Sequence, residues 1–390
     1  MDDEARATGL GPAPDREPKD RPSERPKGHS KGGSRRGWRS PYRNPRPDEF
    51  RSGPGAKSFG GGGSGAADLS GPTYAALDLG TNNCRLLVAR ATRDGFRVID
   101  AFSRIIRLGE GVSTSGRLSE AAIVRAVEAL RVCSAKMRNR GVTRTRLIAT
   151  EACRAAGNGL DFLDRVRDQV GIELEIVDRE TEARLAATGC TPLVDPLAQG
   201  VILFDIGGGS SELVRLGPCE PTQHGPPHPA IEGWTSMPIG VVTLAERHGG
   251  VTVTPETFER MVTEVAVHVG RFAELHGGTD GVHMLGTSGT VTTIAGVYLD
   301  LPRYERRRVD GCWMSDVQVT GVIERLLAMS YEGRVANPCI GSERADLVLA
   351  GCAILEAIRR AFPCSRLRVA DRGLREGMLV QMMREDGVWQ

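Results

Sequence analysis

Two glycine-rich turns in the chain each follow an aspartate at the end of an apolar run. They read Asp78-Leu79-Gly80-Thr81-Asn82 and Asp205-Ile206-Gly207-Gly208-Gly209-Ser210. Because such turns carry little side-chain bulk, successive backbone N–H groups can converge on an anion such as phosphate. A single sequence of this kind is most often only a tight turn, but a matched pair favours phosphate binding. The candidate phosphate ligands are therefore Gly80, Thr81, Asn82, Gly207, Gly208, Gly209 and Ser210.

The aspartates that precede these turns are candidate metal ligands. The carboxylate of Asp78 or Asp205 would direct its oxygens at the bound phosphate, where a hydrated Mg²⁺ ion would bridge carboxylate and phosphate. Glu212, which follows the second turn, is a third candidate for holding the ion or its waters. The sequence predicts Mg²⁺ as the cofactor and leaves open which of the three carboxylates touches it directly.

A predicted helix carries two further carboxylates, within the segment Glu180-Thr181-Glu182-Ala183-Arg184-Leu185. Glu180 and Glu182 are two positions apart, which places them about 200° apart around the helix. Only one of them can therefore enter a cleft and act as a base on water. Glu182 shares its face with Ala186 and Gly189, whose small size would let the helix approach a ligand. A helical glutamate by itself is usually a solvated surface residue.

A third turn, at 286–290, follows an apolar strand predicted at 282–285 and precedes a helix predicted from about residue 291. Its N–H groups would lie at a helix N-terminus, which suits a further phosphate held by Gly286, Thr287 and Ser288. A turn that packs the domain interface fits the pattern equally well.

The elements that must position these groups alternate between strands and helices. Strands are predicted at 74–79 and 85–89 around the first turn, and at 146–149 and 172–177 further along. Helices are predicted at 160–170 and 180–190, and a longer helix begins after Ser119 as its N-cap and ends at Gly141. This alternation is typical of α/β proteins.

The two aspartate turns belong to an internal repeat, because residues 78–88 can be laid over residues 205–215. Each copy has an aspartate, an aliphatic residue, a glycine, a small polar turn and a strand. Two copies suggest two similar domains that face each other, with the active site in the cleft between them. We predict domains at 73–190 and 191–390, and we allow for the C-terminal helix packing back on the first.

Residues 1–72 are rich in Pro, Gly, Ser and Arg, and they cannot bury enough apolar area to offset the entropy of ordering. The sequence therefore predicts a disordered tail that includes a glycine-rich linker at 59–65. Between Pro18 and Pro47, ten Lys or Arg side chains stand against two acidic ones, a local excess of eight. Such a tail can contact polyanions or RNA. A solvated tail that only aids solubility is an equally good interpretation.

Composition excludes several classes of protein. The formal net charge is only +2 and no apolar run approaches the length of a membrane helix, which argues against a uniformly basic or membrane-spanning protein. The nine cysteines form no C-x-x-C pair, and the seven histidines lack zinc-like spacing beyond His224 and His228. We expect reduced thiols, no histidine chemistry and a cytoplasmic location. The oligomeric state stays open, with a homodimer compatible with the sequence.

Four further segments complete a recognisable pattern: Thr150-Glu151-Ala152-Cys153-Arg154, the helical segment at 180–185, the turn at 286–290, and Gly341-Ser342-Glu343-Arg344-Ala345-Asp346. With the two aspartate turns, they resemble the exopolyphosphatase and guanosine pentaphosphate phosphohydrolase (Ppx/GppA) family of the actin-like phosphotransferase superfamily. The resemblance runs in the expected order from about residue 74 to the end of the chain. It implies two ribonuclease-H-like domains, each a mixed sheet surrounded by helices.

The resemblance also implies roles for two residues. Glu182 matches the family's catalytic base, and Arg154 matches a phosphate ligand whose guanidinium could hold phosphoryl oxygens bidentately. A surface salt bridge is the alternative interpretation of Arg154. The basic tail is outside the family core, and the chain stops before the additional helical C-terminal domain of longer members.

The expected function is Mg²⁺-dependent hydrolysis in which Glu182 activates water against the terminal phosphate of inorganic polyphosphate. Both aspartate turns and Arg154 would hold the phosphate chain. The same site could instead remove the 5′ γ-phosphate of guanosine pentaphosphate. A nucleotide- or polyanion-binding switch with little turnover is a third interpretation, and a nucleic-acid-associated protein that uses its basic tail is a fourth.

Overall fold

The computed structural model describes residues 71–93, 95–218 and 229–389. These residues all belong to one compact unit. The predicted tail up to residue 70 and the histidine pair His224 and His228 lie outside the described residues.

Two mixed β-sheets form the centre of this unit, and their topologies correspond. In the first sheet, β1 pairs antiparallel with β2 and parallel with β4. In the second, β6 pairs antiparallel with β7 and parallel with β9. The first sheet, of order β3-β2-β1-β4-β5, comprises β1 (Thr73–Leu79), β2 (Asn83–Thr92), β3 (Gly95–Ile105), β4 (Arg144–Ala149) and β5 (Glu175–Ile176). The second sheet, of order β10-β11-β9-β6-β7-β8, comprises β6 (Gly200–Ile206), β7 (Ser211–Leu216), β8 (Ile231–Met237), β9 (Val282–Thr287), β10 (Trp313–Ser315) and β11 (Arg366–Ala370).

Helices cover the two sheets. Among the described residues they are α1 (Val112–Ser115), α2 (Glu120–Asn139), α3 (Glu151–Ala155), α4 (Gly159–Val170), α5 (Arg179–Cys190), α6 (Val241–His248), α7 (Pro255–His276), α8 (Ser288–Tyr298), α9 (Arg306–Val309), α10 (Asp316–Leu327), α11 (Tyr331–Ala336), α12 (Val348–Ala361) and α13 (Leu374–Glu385). Helices α2 and α4 bury apolar side chains against the first sheet. Helices α7, α8, α10 and α12 do so against the second. The predicted fold class, two mixed α/β sheets with surrounding helices, is confirmed.

The long helix predicted after Ser119 is present as α2. The Ser119 hydroxyl accepts a hydrogen bond from the Ala122 N–H at 3.2 Å, which satisfies an amide that the helix itself leaves unpaired. Leu118 and Ile123 are both buried at this end, as expected of a hydrophobic staple. Strand β3 was not predicted, because most of its side chains are partly or fully exposed and its apolar residues do not alternate regularly.

The small residue Gly189 on the Glu182 face of α5 has a different role from the one that the sequence suggested. A Cβ atom on Gly189 would lie 1.9 Å from the backbone oxygen of Gly373, and one on Gly377 would lie 1.9 Å from that of Leu185. Glycine is therefore required for α5 and α13 to pack backbone against backbone. At Gly189 the lack of a side chain serves helix packing, because this position meets the N-terminal turn of α13, and the expectation that Ala186 lets α5 approach a ligand stays a prediction.

Helices α5 and α13 connect the two sheets. Leu185 of α5 and Met378 of α13 pack on Tyr74 and its neighbours in the first sheet. On another side, Ala183 and Ala187 of α5 pack with the second sheet. The helix that carries Glu182 is thereby held by both halves of the repeat.

Candidate active site

The two aspartate turns have the same local structure and face each other across a cleft. The Gly80 N–H donates to the Asn83 oxygen at 2.9 Å, and the Gly207 N–H donates to the Ser210 oxygen at 3.0 Å. A Cβ atom on Gly208 would lie only 2.9 Å from the Thr81 Cβ. The glycines therefore serve the contact between the turns, and the N–H groups of Gly80 and Gly207 are already paired within their own turns.

Candidate ligands from both halves of the repeat line this cleft. They are Asp78, Gly80, Thr81, Asn82, Glu182, Asp205, Gly207, Gly208, Gly209, Ser210, Glu212, Thr287 and Ser288. The structure thus brings together all but two of the residues that the sequence singled out for chemistry. The two exceptions are Arg154, which lies behind the cleft wall, and Gly286.

Gly286 lies inside strand β9, which extends to Thr287, and helix α8 begins at Ser288. The predicted turn is therefore shorter than the sequence suggested. A Cβ atom on Gly286 would lie 2.5 Å from the Phe204 ring, so its lack of a side chain serves core packing. We correct the placement of Gly286 in a phosphate turn, because the strand holds it in the core.

The carboxylates of the repeat occupy an environment that disfavours their ionised form. Burial, and then the negative charge of Asp78, raise the pKa of Asp205 to about 6. Burial, and then the charge of Asp205, raise the pKa of Glu212 to about 7, against hydrogen bonds from the hydroxyls of Ser210 and Ser236 at 2.8 and 2.9 Å. Burial also raises the pKa of Asp78, although two arginines oppose the shift. Such a set of oxygens is suited to a cation.

Glu182 enters the cleft and Glu180 does not, as the helical geometry predicted. The Glu180 side chain is 46% exposed and pairs with Arg184 at 2.7 Å. The Glu182 side chain is 14% exposed and accepts a hydrogen bond from Arg154 Nη2 at 3.1 Å. Burial, and then the nearby charge of Glu212, raise the pKa of Glu182 well above its ordinary value. A buried carboxylate of raised pKa beside a phosphate site is a candidate general base.

Arg154 forms ion pairs with two carboxylates, but they are largely buried and are not the surface salt bridge of its alternative interpretation. Its guanidinium donates to Glu151 Oε2 from Nε at 2.9 Å and from Nη2 at 2.6 Å. It also donates to the backbone oxygen of Val177 and to Glu182. Its direct contact with phosphate remains a prediction, because these four hydrogen bonds already use most of its five donors.

The fourth family segment, at 341–346, supplies a contact between the two halves. Asp346 accepts hydrogen bonds from Arg107 at 2.9 and 3.1 Å. Arg107 also donates to the backbone oxygen of Glu343. Neither Glu343 nor Asp346 lies in the cleft lining. This segment therefore joins the two halves of the protein outside the cleft lining.

Sequence reasoning missed two arginines of the cleft. Arg85 and Arg375 line it, and among the described residues neither side chain is in an ion pair, whereas the lining Arg372 pairs with Asp310. Both oppose the raised pKa of Asp78, which shows that their charges lie near its carboxylate. Arg85 pairs in register with Asp78, whereas Glu212 pairs in register with Asp205. This reversal of charge within the repeat was the sequence signal for Arg85.

The segment that contains Arg375 was also missed, although its six residues, 371–376, all line the cleft. Two neighbouring contacts fix its shape. Asp371 accepts a hydrogen bond from the Tyr304 hydroxyl at 2.6 Å, and Arg372 Nε donates to Asp310 at 3.1 Å. The charged pattern of this segment was the available signal, but no periodicity distinguishes it from an ordinary helix start.

No group of three or more His, Cys, Asp or Glu side chains is arranged to chelate a metal ion by itself within the described part of the chain. The eight cysteines described there are free thiols. The buried His283 packs edge-on against Trp313, and burial lowers its pKa to about 4. None of the described helices is long and apolar enough to cross a membrane.

Two hairpins of one design, placed on corresponding sheets and facing across a charged cleft, define an actin-like α/β protein. The family model for the Ppx/GppA phosphatase family matches residues 87–386. The chain therefore belongs to the Ppx/GppA phosphatase family.

Individual relatives agree with this assignment. The chain is 27% identical over 323 residues to the guanosine-5′-triphosphate,3′-diphosphate pyrophosphatase of Photobacterium profundum, with 80% of this chain and 59% of the relative covered. It thus spans less than two thirds of that curated relative's length.

Solved structures show the same fold. A crystal structure of the Aquifex aeolicus Ppx/GppA family member matches with a TM-score of 0.67 and 27% identity, covering 81% of this chain and 98% of that one. An exopolyphosphatase from Cytophaga hutchinsonii matches with a TM-score of 0.72 and 23% identity, covering 80% and 98% of the two chains. The second comparison supports the fold alone.

Proposed function

We propose that the protein is a Mg²⁺-dependent phosphohydrolase that releases the terminal phosphate of inorganic polyphosphate. One observation carries the proposal: two matched phosphate turns face each other while Glu182 enters the same cleft beside them. A phosphoanhydride hydrolase needs a held phosphoryl group, positive charge on its oxygens and a positioned water. The cleft offers groups suited to each of these tasks.

In this proposal, the backbone N–H groups of both turns hold the terminal phosphoryl group, except those of Gly80 and Gly207, which are paired within the turns. Arg85 and Arg375 would compensate its negative charge, because both line the cleft and, unlike Arg372, neither is in an ion pair among the described residues. Glu182 accepts a proton from the attacking water as the new P–O bond forms. The bond to the leaving phosphate then breaks, and the shortened chain departs with one more terminal oxygen charge to be compensated.

The chemistry of the donor set fits Mg²⁺. Asp205 and Glu212 supply hard carboxylate oxygens whose pKa values are raised first by burial, and then by the charge of Asp78 on Asp205 and of Asp205 on Glu212. The buried Asn82 Oδ1 has no hydrogen-bond partner, so it can accept a hydrogen bond from a metal-bound water. Mg²⁺ usually keeps several waters and shares substrate phosphates, which agrees with the absence of a three-residue chelate from the described part of the chain. Such an ion supplies charge neutralisation at the phosphoryl oxygens.

The residues that line the cleft offer little stacking surface for a nucleobase, and because seven carboxylates stand against three arginines, a polyanion would need Mg²⁺ as well as these arginines. Polar and charged side chains predominate, and no aromatic residue lies among the described lining residues. Leu374 is the only large apolar residue in that lining. A guanine base gains much of its affinity from stacking or apolar contact, whereas a linear phosphate chain needs donors and positive charge.

Hydrolysis of guanosine pentaphosphate is the second candidate. It is favoured by the similarity to the P. profundum enzyme, whose name specifies that class of substrate. The same turns and the same Glu182 would act on its 5′ γ-phosphate, with the guanosine outside the phosphate cleft.

Steady-state phosphate release from long-chain polyphosphate and from guanosine pentaphosphate, measured side by side with Mg²⁺, tests the proposal. We expect a higher kcat/KM on polyphosphate. A higher value on guanosine pentaphosphate would assign the second candidate. Binding of either compound without phosphate release would indicate a switch protein and contradict the hydrolase proposal.

A further inference from the structure

Glu151 is a buried carboxylate of the cleft wall that the proposed reaction does not use. Only 11% of its side chain is exposed, and it begins helix α3 directly after strand β4. Two guanidiniums hold it. Arg154 donates to Oε2 at 2.9 and 2.6 Å, and Arg179 Nη2 donates to Oε1 at 2.8 Å. Both carboxylate oxygens are therefore occupied by charge-assisted hydrogen bonds.

Arg154 connects Glu151 to the proposed base. Its Nη2 group donates to Glu151 and, at 3.1 Å, to Glu182. Its Nη1 group donates to the backbone oxygen of Val177, which lies two residues before the start of helix α5. Because the guanidinium is a rigid planar fork, fixing its Nε edge on Glu151 also fixes the direction of the N–H that reaches Glu182.

Glu151 is itself held from two sides. Arg179, the first residue of α5, reaches it from outside the cleft with a side chain that is 41% exposed. The Glu151 side chain also lies against the second aspartate turn, since a Cβ atom on Gly209 would lie 3.1 Å from Glu151 Cγ. The Glu151 side chain is therefore held in a fixed position relative to the turn that would hold the phosphate.

We propose that Glu151, anchored by Arg179, is a positioning residue that fixes Arg154 against Glu182 and thereby aims the Glu182 carboxylate at the water. The inference rests on the proposed function of this cleft. It assigns to the Glu151 and Arg179 pair a part in turnover, although neither contacts the reacting atoms.

A second arrangement of the same groups would give Glu151 a different role. It could be a placeholder that occupies Arg154 until a substrate phosphate displaces it. Displacement would have to break the ion pairs with both Arg154 and Arg179 and move a buried side chain away from Gly209. The two roles predict opposite kinetics, because a placeholder competes with substrate whereas a positioning residue acts on turnover.

The test compares full-length wild type with Glu151→Gln and Arg179→Met in phosphate release from tripolyphosphate with Mg²⁺. We expect Glu151→Gln to lower kcat by about 10- to 100-fold, the range typical of residues that orient a reacting group, with KM within about twofold. Arg179→Met should lower kcat less, because Arg154 still binds Glu151. Arg184→Met is the matched control on the same helix, since Arg184 pairs only with the exposed Glu180 side chain and should leave kcat unchanged.

A double variant separates positioning from a general loss of structure. If Glu151 acts through Glu182, Glu151→Gln in a Glu182→Gln background should cause no further loss of kcat. A crystal structure of Glu151→Gln should show the contact between Arg154 and Glu182 broken or displaced. That structure, or one of Arg179→Met if Glu151→Gln does not fold, gives a result independent of activity.

Three outcomes would overturn the proposal. They are a fall in KM with kcat retained, an additional loss in the double variant, and an intact Arg154 to Glu182 contact in the crystal. If wild type releases no phosphate from either substrate class, the proposed function fails, and the crystal structure of the variant still decides whether Glu151 positions Arg154.

Discussion

Replacing Glu182 with glutamine removes the proposed base while keeping its shape. We expect turnover to fall by roughly 10² to 10⁴, the range for loss of a general base, which corresponds to about 3 to 5.5 kcal/mol of barrier. Stability should change by less than about 1 kcal/mol. The amide oxygen can still accept the hydrogen bond from Arg154 Nη2, and Arg154 keeps Glu151 as its counter-ion. Phosphate release and thermal unfolding on the same preparations measure both quantities.

Glu180→Gln is the internal control for this substitution. Its carboxylate lies on another face of α5, where it forms an exposed pair with Arg184 that contributes little. Turnover of this variant should stay near that of wild type. Near-normal turnover of Glu182→Gln would refute its assignment as the base, and equal losses at the two positions would point to a general defect of the helix.

Three further predictions concern the metal, pH and the tail. Asp205→Asn, or a chelator added to wild type, should abolish phosphate release; full activity in chelator would contradict the metal role. In metal-free protein, the raised pKa values of Asp205 and Glu212 favour the protonated folded form, so the free energy of unfolding should decrease as pH rises from the ordinary carboxyl range through about 7. A flat profile in thermal unfolding, or no flattening in Asp205→Asn, would contradict this. Deleting residues 1–70 should leave kcat unchanged but raise KM for long polyphosphate and flatten its salt dependence. Identical KM values and salt slopes would contradict capture of polyphosphate by the tail and leave RNA binding to a separate test.

The core of the fold was predictable from local patterns. The strands around both aspartate turns are continuous apolar runs, and the Ser119 cap marks its helix unambiguously. Strand β3 was not predicted because it is an edge strand with many exposed side chains. Its position is decided by pairing with β2. Its existence depends on tertiary context that no local window contains.

The site was predictable where chemistry and periodicity coincide. The separation of Glu180 and Glu182 follows from helical geometry alone, and the structure confirms it. The packing role of Gly189 could not be predicted, because a glycine on a helix face looks the same whether it approaches a ligand or another backbone. Arg375 was hidden for a related reason, since its segment reaches the cleft only when α13 packs against α5 and the first sheet.

The two halves of the repeat share a backbone and differ in charge, and this difference explains how one design can serve two tasks. Strand pairing places Arg85 opposite Asp78 in the first half and Glu212 opposite Asp205 in the second. A guanidinium beside the first aspartate favours contact with phosphate oxygens, whereas two adjacent carboxylates favour a cation. We therefore expect exchange of Arg85 for glutamate to weaken substrate binding more than metal binding, and Glu212→Gln to do the reverse. The repeat alone would predict a symmetric site. The site is asymmetric because the residue that pairs with the aspartate is Arg85 in the first half and Glu212 in the second.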